Sequence, residues 1–334
     1  MNILLTGGSG YIGSHVAVSL AEKGYGAVLL DNLTNSTADV VSKIEEITKQ
    51  RLALVVADVR DTATVRAALR AHDVSAVIHL AGLKAVGDSI EKPIEYYANN
   101  VQGTISLLQA MQAESVKMLI FSGSATVYGL PQYLPLDEHH PTGATNPYGR
   151  SKLQVEEILR DLVRSDSNWR VASLRYFNPV GAHESMRIGE WPRSSPTNLL
   201  PIIMQVATGR LSELQVFGND YETIDGTGVR DYIHVSDLAE GHVATLDYLH
   251  QNSGWHTFNL GTGKGYSVFE VLGAFERVSG RKIPYKVSQR RPGDVAACYA
   301  NPAQALAKLN WQAQRDLVEM CSSAWGFAQS DCVK

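Results

Sequence analysis

At 334 residues the chain is long for one hydrophobic core, so a large domain with a smaller companion is expected. A hydrophobic content of 44%, a charged content of 19% and a net charge of -4 suit an ordinary enzyme and offer no basic surface for nucleic acid. No apolar run reaches the ~18 residues of a membrane span, and Met1–Thr6 lacks the basic and long apolar regions of a signal peptide. Cys298, Cys321 and Cys332 are widely spaced and odd in number, which fits a reducing cytoplasm. No metal site is expected.

In chain order, short apolar runs alternate with longer amphipathic stretches. Residues 3–5, 27–30, 52–56, 76–80 and 118–122 read as buried parallel strands, rich in Leu, Ile and Val. Residues 11–23, 36–49, 62–71 and 93–112 carry helical spacing between them. A further helix over 147–163 and a strand over 170–175 extend the alternation. This is the pattern of an α/β fold with a doubly wound parallel sheet of the Rossmann type. After Phe177 the rhythm changes. Asn178-Pro179-Val180-Gly181 and Gly189–Pro196 are loop-like, and shorter elements lead to a last helix over 317–327. Residues 1–177 are therefore assigned to a dinucleotide-binding domain and 178–334 mainly to a smaller α/β substrate lobe. A return to the first sheet is expected within 232–249.

Gly7, Gly10 and Gly13 lie between a predicted strand and a predicted helix, where glycines let backbone N–H groups approach a pyrophosphate at a helix start. Asp31 follows Gly13 by 18 residues and ends the second strand, where its carboxylate would accept both ribose hydroxyls of adenosine. No Arg or Lys follows it closely, so a 2′-phosphate would meet Asp31 unopposed, and NAD is favoured over NADP. Asp58, at the end of the third strand, would either meet the adenine edge or cap a helix.

Tyr148 and Lys152 are four residues apart, on one face of a helix starting near Pro147. A free phenol, with a pKa of ~10, is too weakly acidic to serve as a base at neutral pH. A nearby ammonium would stabilise the phenolate. The spacing alone is common on solvated helices, but here it follows a dinucleotide sheet. Ser124 lies just past the carboxyl end of the fifth strand, where ligands of such sheets bind, and would share the reacting alcohol's proton with Tyr148; otherwise it is a turn serine. Arg230 and Arg291 stand in glycine-containing loops, and guanidinium forks suit a diphosphate.

These residues resemble the extended short-chain dehydrogenase/reductase superfamily and, within it, the UDP-glucose 4-epimerase family. The likeness is carried by Gly7–Ser14, Ile78–Gly87, Tyr96–Val101, Ser124–Gly129, Arg175–Ala182, Phe217–Tyr221, Asp225–Val235 and Arg290–Asp294. It implies NAD contacts from Gly7, Gly10, Tyr11, Ile12, Gly13, Asp31, Asn32, Leu33, Asn35, Ser36, Asp58, Val59, Leu80, Ala81, Gly82, Lys84, Asn99, Ser122, Tyr148, Lys152 and Phe177. It implies UDP-hexose contacts from Lys84, Ser124, Tyr148, Phe177, Asn178, Asn198, Arg230, Arg291, Asp294 and Cys298. The implied reaction interconverts UDP-glucose and UDP-galactose by oxidation at C4, rotation of the 4-keto sugar and reduction from the other face. The resemblance also implies a homodimer, paired through the helices at 93–112 and 147–163.

Three positions depart from the family pattern. Gly123 replaces a frequent serine and would loosen the turn before Ser124, and Leu80 replaces a common phenylalanine. Cys298 stands where a bulky tyrosine is found, so the pocket should also admit UDP-GlcNAc and UDP-GalNAc. A related 4,6-dehydratase would need an Asp-Glu pair after Thr126, where Val127-Tyr128 stand instead. A net reductase or dehydrogenase would release its cofactor, and a non-catalytic nucleotide sensor would not need the Tyr148–Lys152 pair.

Overall fold

The computed structural model describes residues 1–192, 196–291 and 293–333. Arg193, Ser194 and Ser195 of the Gly189–Pro196 loop and Pro292 of the Arg290–Asp294 motif lie outside the described residues. Along the described chain run β1 (Asn2–Thr6), α1 (Tyr11–Glu22), β2 (Gly26–Asp31), α2 (Asp39–Thr48), β3 (Ala53–Val56), α3 (Thr62–Ala71) and β4 (Val74–His79). Next come α4 (Val86–Glu91), α5 (Pro93–Tyr96), α6 (Gly103–Ala113), β5 (Met118–Ser122), α7 (Pro147–Ser165), β6 (Arg170–Tyr176), β7 (Asn178–Val180) and α8 (Leu199–Ala207). The last third holds β8 (Leu214–Phe217), β9 (Val229–His234), α9 (Val235–Gln251), β10 (Gly254–Leu260), β11 (Gly265–Ser267) and α10 (Val268–Ser279). It closes with β12 (Tyr285–Ser288), β13 (Ala297–Cys298), α11 (Ala303–Leu309) and α12 (Leu317–Gln329).

Seven of the strands form one parallel sheet in the order β10-β6-β5-β4-β1-β2-β3. Its strands are apolar at successive positions because both faces are covered. Ile3 and Leu5 of β1 join the core with α1, α9 and β10, whereas Leu4 joins the core with α3, α6 and α7. Alternate residues of one strand thus feed opposite layers. The chain returns to this sheet through α9, which packs on α1, and through β10, its seventh strand.

The second lobe is built on β9. It pairs in parallel with β7 and β13 and antiparallel with β11, and β8 pairs with β12. A third core fills the space beneath, with Ile203, Val216, Tyr232, Phe275, Met320 and Cys321 buried together.

One expected helix differs. The stretch 93–112 is interrupted by a π-helical turn over Tyr97–Gln102, between α5 and α6. Such bulges re-aim side chains, and this one carries Asn99 and Asn100 beside the site. Apolar spacing cannot register it.

Candidate active site

The candidate cofactor residues gather at the carboxyl ends of the parallel strands, the edge at which ligands of such sheets bind. Gly7 ends β1 with φ at +69°, and a Cβ there would lie 2.8 Å from the Ala81 nitrogen, so the glycine loop and the Leu80–Lys84 segment after β4 pack backbone to backbone. Gly10 is the N-cap of α1 and supplies no side-chain cap, which leaves the first N–H groups of the helix for a ligand anion. Ser9 Oγ is buried with no partner among the described residues. An uncapped helix start, a close glycine turn and an orphaned hydroxyl together fit the pyrophosphate of NAD.

Asp31 ends β2 and organises the adenosine side. Its Oδ2 accepts the Ser9 N–H at 3.0 Å, and its Oδ1 accepts the Leu33 N–H at 2.9 Å and the Ser36 hydroxyl at 2.8 Å. These bonds fix the orientation of the Asp31 carboxylate at the end of β2 and leave acceptor capacity for a ligand hydroxyl. Asn32 and Asn35 are exposed, and Val59 is buried in the core with α3 and α6. Asp58 is held by Arg60 through a bidentate pair at 2.9 and 2.7 Å, which draws its carboxyl down to about 2. Among the described residues, then, Asp58 engages an arginine rather than capping α3, whose N-cap is Asp61.

Tyr148 and Lys152 lie one turn apart at the start of α7, where Asn146 caps the helix by accepting the Gly149 N–H at 2.9 Å and Pro147 fits the first turn. Burial pushes the Tyr148 phenol up, while a hydrogen bond with Ser124 and the Lys84 ammonium draw it back. Ser124 Oγ accepts the Thr126 hydroxyl at 2.9 Å, which orients its own proton away from Thr126. Lys152 is buried, and its ammonium donates to the Ser122 carbonyl at 2.8 Å and sits 4.8 Å from the Phe121 ring centre. Burial lowers it to about 8. In this structure the groups that draw the Tyr148 phenol back down are Ser124 and Lys84, while the Lys152 ammonium is bonded to the end of β5.

The sequence reading missed a clamp around this pair. Asn100 Oδ1 accepts the Leu83 N–H at 2.8 Å, while its amide nitrogen donates to the Leu83 carbonyl and to Ser151 Oγ, both at 3.0 Å. Ser151 in turn donates to the Tyr148 carbonyl at 2.7 Å. Asn100 thus ties the Leu80–Lys84 segment to the start of α7. A Cβ on Gly82 would come within 3.1 Å of Asn100 Oδ1 and 3.7 Å of Lys152 Nζ, so a larger residue there would press on the Asn100 amide. Asn100 was visible only as the neighbour of Asn99.

Gly123 also differs from expectation. A Cβ there would lie 2.6 Å from Ser173 Oγ and 2.8 Å from the Leu174 carbonyl, so this glycine permits close packing on β6 rather than loosening the turn. Leu80 is partly buried against the core that includes α1 and α9.

On the second lobe, β9 aligns the remaining candidates. Cys298 of β13 pairs with Arg230, and Asn178 of β7 pairs with Tyr232. Asp294 draws two guanidiniums together, Arg230 at 3.7 Å and Arg291 at 3.2 Å. Arg230 also donates to the Val295 carbonyl at 2.9 Å, and Arg291 lies over the Phe217 ring at 4.7 Å. Phe217 was present in a quoted motif but received no role. Cys298 packs against a cluster containing Val127, Phe177 and Ala300, with Ala125 at its margin. Its thiol is pushed up to about 11 by burial, so it is neutral at physiological pH.

A tunable phenol beside a dinucleotide cradle defines an NAD-dependent enzyme acting at a carbon–oxygen bond. The GDP-mannose 4,6 dehydratase family model matches residues 4–324. UDP-glucose 4-epimerase of Bacillus subtilis (strain 168) is 54% identical over 331 residues, covering 99% of this chain and 98% of that protein. UDP-glucose 4-epimerase of Homo sapiens is 53% identical over 336 residues, covering 98% and 97%. The crystal structure of UDP-glucose-4-epimerase from Stenotrophomonas maltophila with bound NAD and formylated UDP-arabinopyranose superposes with a TM-score of 0.97 at 49% identity, covering 98% of each chain. That of UDP-glucose 4-epimerase from Bifidobacterium longum with NAD+ and UDP gives a TM-score of 0.97 at 48% identity, covering 100% and 99%. The chain belongs to the UDP-glucose 4-epimerase family of the extended short-chain dehydrogenase/reductases. Where a dehydratase would need an acid and a base after Thr126, Val127 and Tyr128 are buried, and the Tyr128 hydroxyl donates to Asn259 at 2.6 Å.

Proposed function

We infer that this chain interconverts UDP-glucose and UDP-galactose by NAD-dependent oxidation and reduction at C4 of the hexose. The observation that carries the reading is the buried Tyr148 phenol, drawn back by Ser124 and Lys84 at the ligand-binding edge of the sheet, in a chain 54% identical to a UDP-glucose 4-epimerase over nearly its full length. NAD, when bound, supplies the acceptor and donor of hydride opposite C4.

The protein's part is to move one proton and to hold one end of the substrate. Tyr148 takes the O4 proton as the alcohol is oxidised and returns it as the ketone is reduced. Ser124, oriented by Thr126, donates to the phenolate oxygen and steadies its charge. Lys84 adds a second favourable charge. Arg230 and Arg291, drawn together by Asp294, suit the diphosphate, and Asn178 and Asn198 stand in the second lobe to meet the sugar. Rotation of the 4-keto ring about its diphosphate link requires a firm grip at the uridine end and few bonds at the hexose. Phe177 and Cys298 provide such a wall, apolar on one side and small on the other.

The small Cys298 side chain supports acceptance of N-acetylated UDP-hexoses beside the plain ones. The helices at α5, α6 and α7 support a homodimer, because Ile94 is 84% exposed next to an apolar surface cleft of about 520 Å³ lined by Tyr97, Val101, Ile105 and Gln154. Three free thiols support a reducing, cytoplasmic setting. No helix among the described residues is long and apolar enough to cross a membrane. One preparation assayed with UDP-galactose and then UDP-GalNAc tests the reading. Formation of UDP-glucose without net NADH is expected, and no turnover of UDP-galactose would contradict it.

A further inference from the structure

We propose that Glu190 is a positioning residue of the hexose pocket, its carboxylate tying Lys84 of the first lobe to Asn198 of the second and setting where the Lys84 ammonium stands against Tyr148. The proposal rests on the epimerase reading above and deepens it.

Glu190 lies in the loop before α8 and is only 7% exposed, whereas the Lys84 side chain is 62% exposed. A single oxygen, Oε1, accepts from Lys84 Nζ at 3.0 Å and from the Asn198 side-chain nitrogen at 3.0 Å. A buried carboxylate needs such partners, because its charge is costly without them. An ordinary surface ion pair does not account for the second bond. Asn198 is the N-cap of α8 yet makes no side-chain capping bond, so it forgoes the role that asparagine usually fills there and gives its amide to Glu190 instead. The tie therefore joins the segment after β4 to the start of α8.

Two consequences follow for the reaction. The hexose end is aligned by Lys84 and Asn198 together, so loosening Glu190 disturbs the reacting end of the substrate more than the uridine end held by Arg230 and Arg291. Glu190 also opposes part of the Lys84 charge. The groups that face Tyr148 are Ser124, Lys84, Tyr96 and Tyr176, with Lys152 on its own helix and Asp88 and Glu95 beyond Tyr96. Among the described residues, those that face Glu190 are Lys84, Asn198 and Tyr11. Removing the Glu190 charge alone leaves the Lys84 ammonium unopposed, which favours the phenolate.

The test compares Glu190→Gln and Glu190→Asp with the wild-type holoenzyme, using UDP-galactose. For Glu190→Gln, kcat is expected to fall about 10-fold with KM within about two-fold, and the acid limb of the kcat/KM profile to move down by roughly half a pH unit. Glu190→Asp keeps the charge and shortens the reach, so kcat falls while the acid limb stays in place. It decides the question alone if the glutamine variant does not fold. Wild-type kcat in both variants would overturn the proposal, as would a lowered melting temperature with kcat and KM falling together and the limb unmoved in Glu190→Gln. Failure of the epimerase reading shows earlier and separately, as a wild-type protein that does not turn over UDP-galactose.

Discussion

Lys152 donates its ammonium to the Ser122 carbonyl at 2.8 Å and makes no bond to the Tyr148 phenol among the described residues. The two side chains share a helix face, yet the lysine reaches past the tyrosine to the end of β5. Its charge is buried, and burial lowers its pKa from 10.5 to about 8.

That burial predicts a stability signature. Between pH 8 and 10.5 the unfolded chain binds the Lys152 proton while the folded chain has lost it, so stability rises with pH across this window. The stability of NAD-free wild type relative to Lys152→Met should grow on the order of 3 kcal/mol from pH 8 to 10.5, other groups cancelling in the difference. Denaturant unfolding at several pH values measures it, and a flat difference would mean that Lys152 keeps an ordinary pKa.

Tyr148→Phe removes the proton carrier and leaves the diphosphate grip. Turnover should fall ~10²–10⁴-fold with UDP affinity unchanged by calorimetry. Ser124→Ala should cost less in kcat and move the acid limb of the profile to higher pH, because the lost hydrogen bond favoured the phenolate. An acid limb that moves to lower pH would reverse the role given to Ser124.

Cys298→Tyr fills the space at the hexose wall. Turnover of UDP-GalNAc should drop at least about 10-fold relative to UDP-galactose, as expected for steric exclusion in a close-packed pocket. Equal losses on both sugars would place the selecting contact elsewhere.

Ile94→Glu puts a charge in the centre of the apolar surface on α5. A dimer held there should dissociate to a 36.4 kDa species in sedimentation while the melting of the sheet domain changes little. An unchanged sedimentation profile would remove this face as the contact.

Much of the architecture was legible because it depends on local pattern. The apolar runs of β1 to β6 follow from burial on both faces, and Gly7–Gly13 and Tyr148–Lys152 carry their spacing within a few residues. What could not be read is long-range. Glu190 and Lys84 are 106 residues apart in the chain, and nothing near either marks the pair. The destination of the Lys152 ammonium is a backbone carbonyl, which has no sequence signal. Asp31 was recognised as a ribose partner, but its bonds to Ser9, Leu33 and Ser36 depend on how the loop folds back. The π-turn at Tyr97–Gln102 escaped for a related reason: the apolar spacing on either side is helical, and Asn100 finds its partners only once the segment after β4 and α7 supply them.

The central claim is that C4 of one sugar loses and regains the same hydrogen inside a single site. It is tested most directly by giving the holoenzyme UDP-galactose deuterated at C4 in ordinary water and examining the UDP-glucose formed by proton NMR and mass spectrometry. The account predicts full retention of deuterium at C4. Loss of the label to solvent, or its recovery in released NADH, would contradict it.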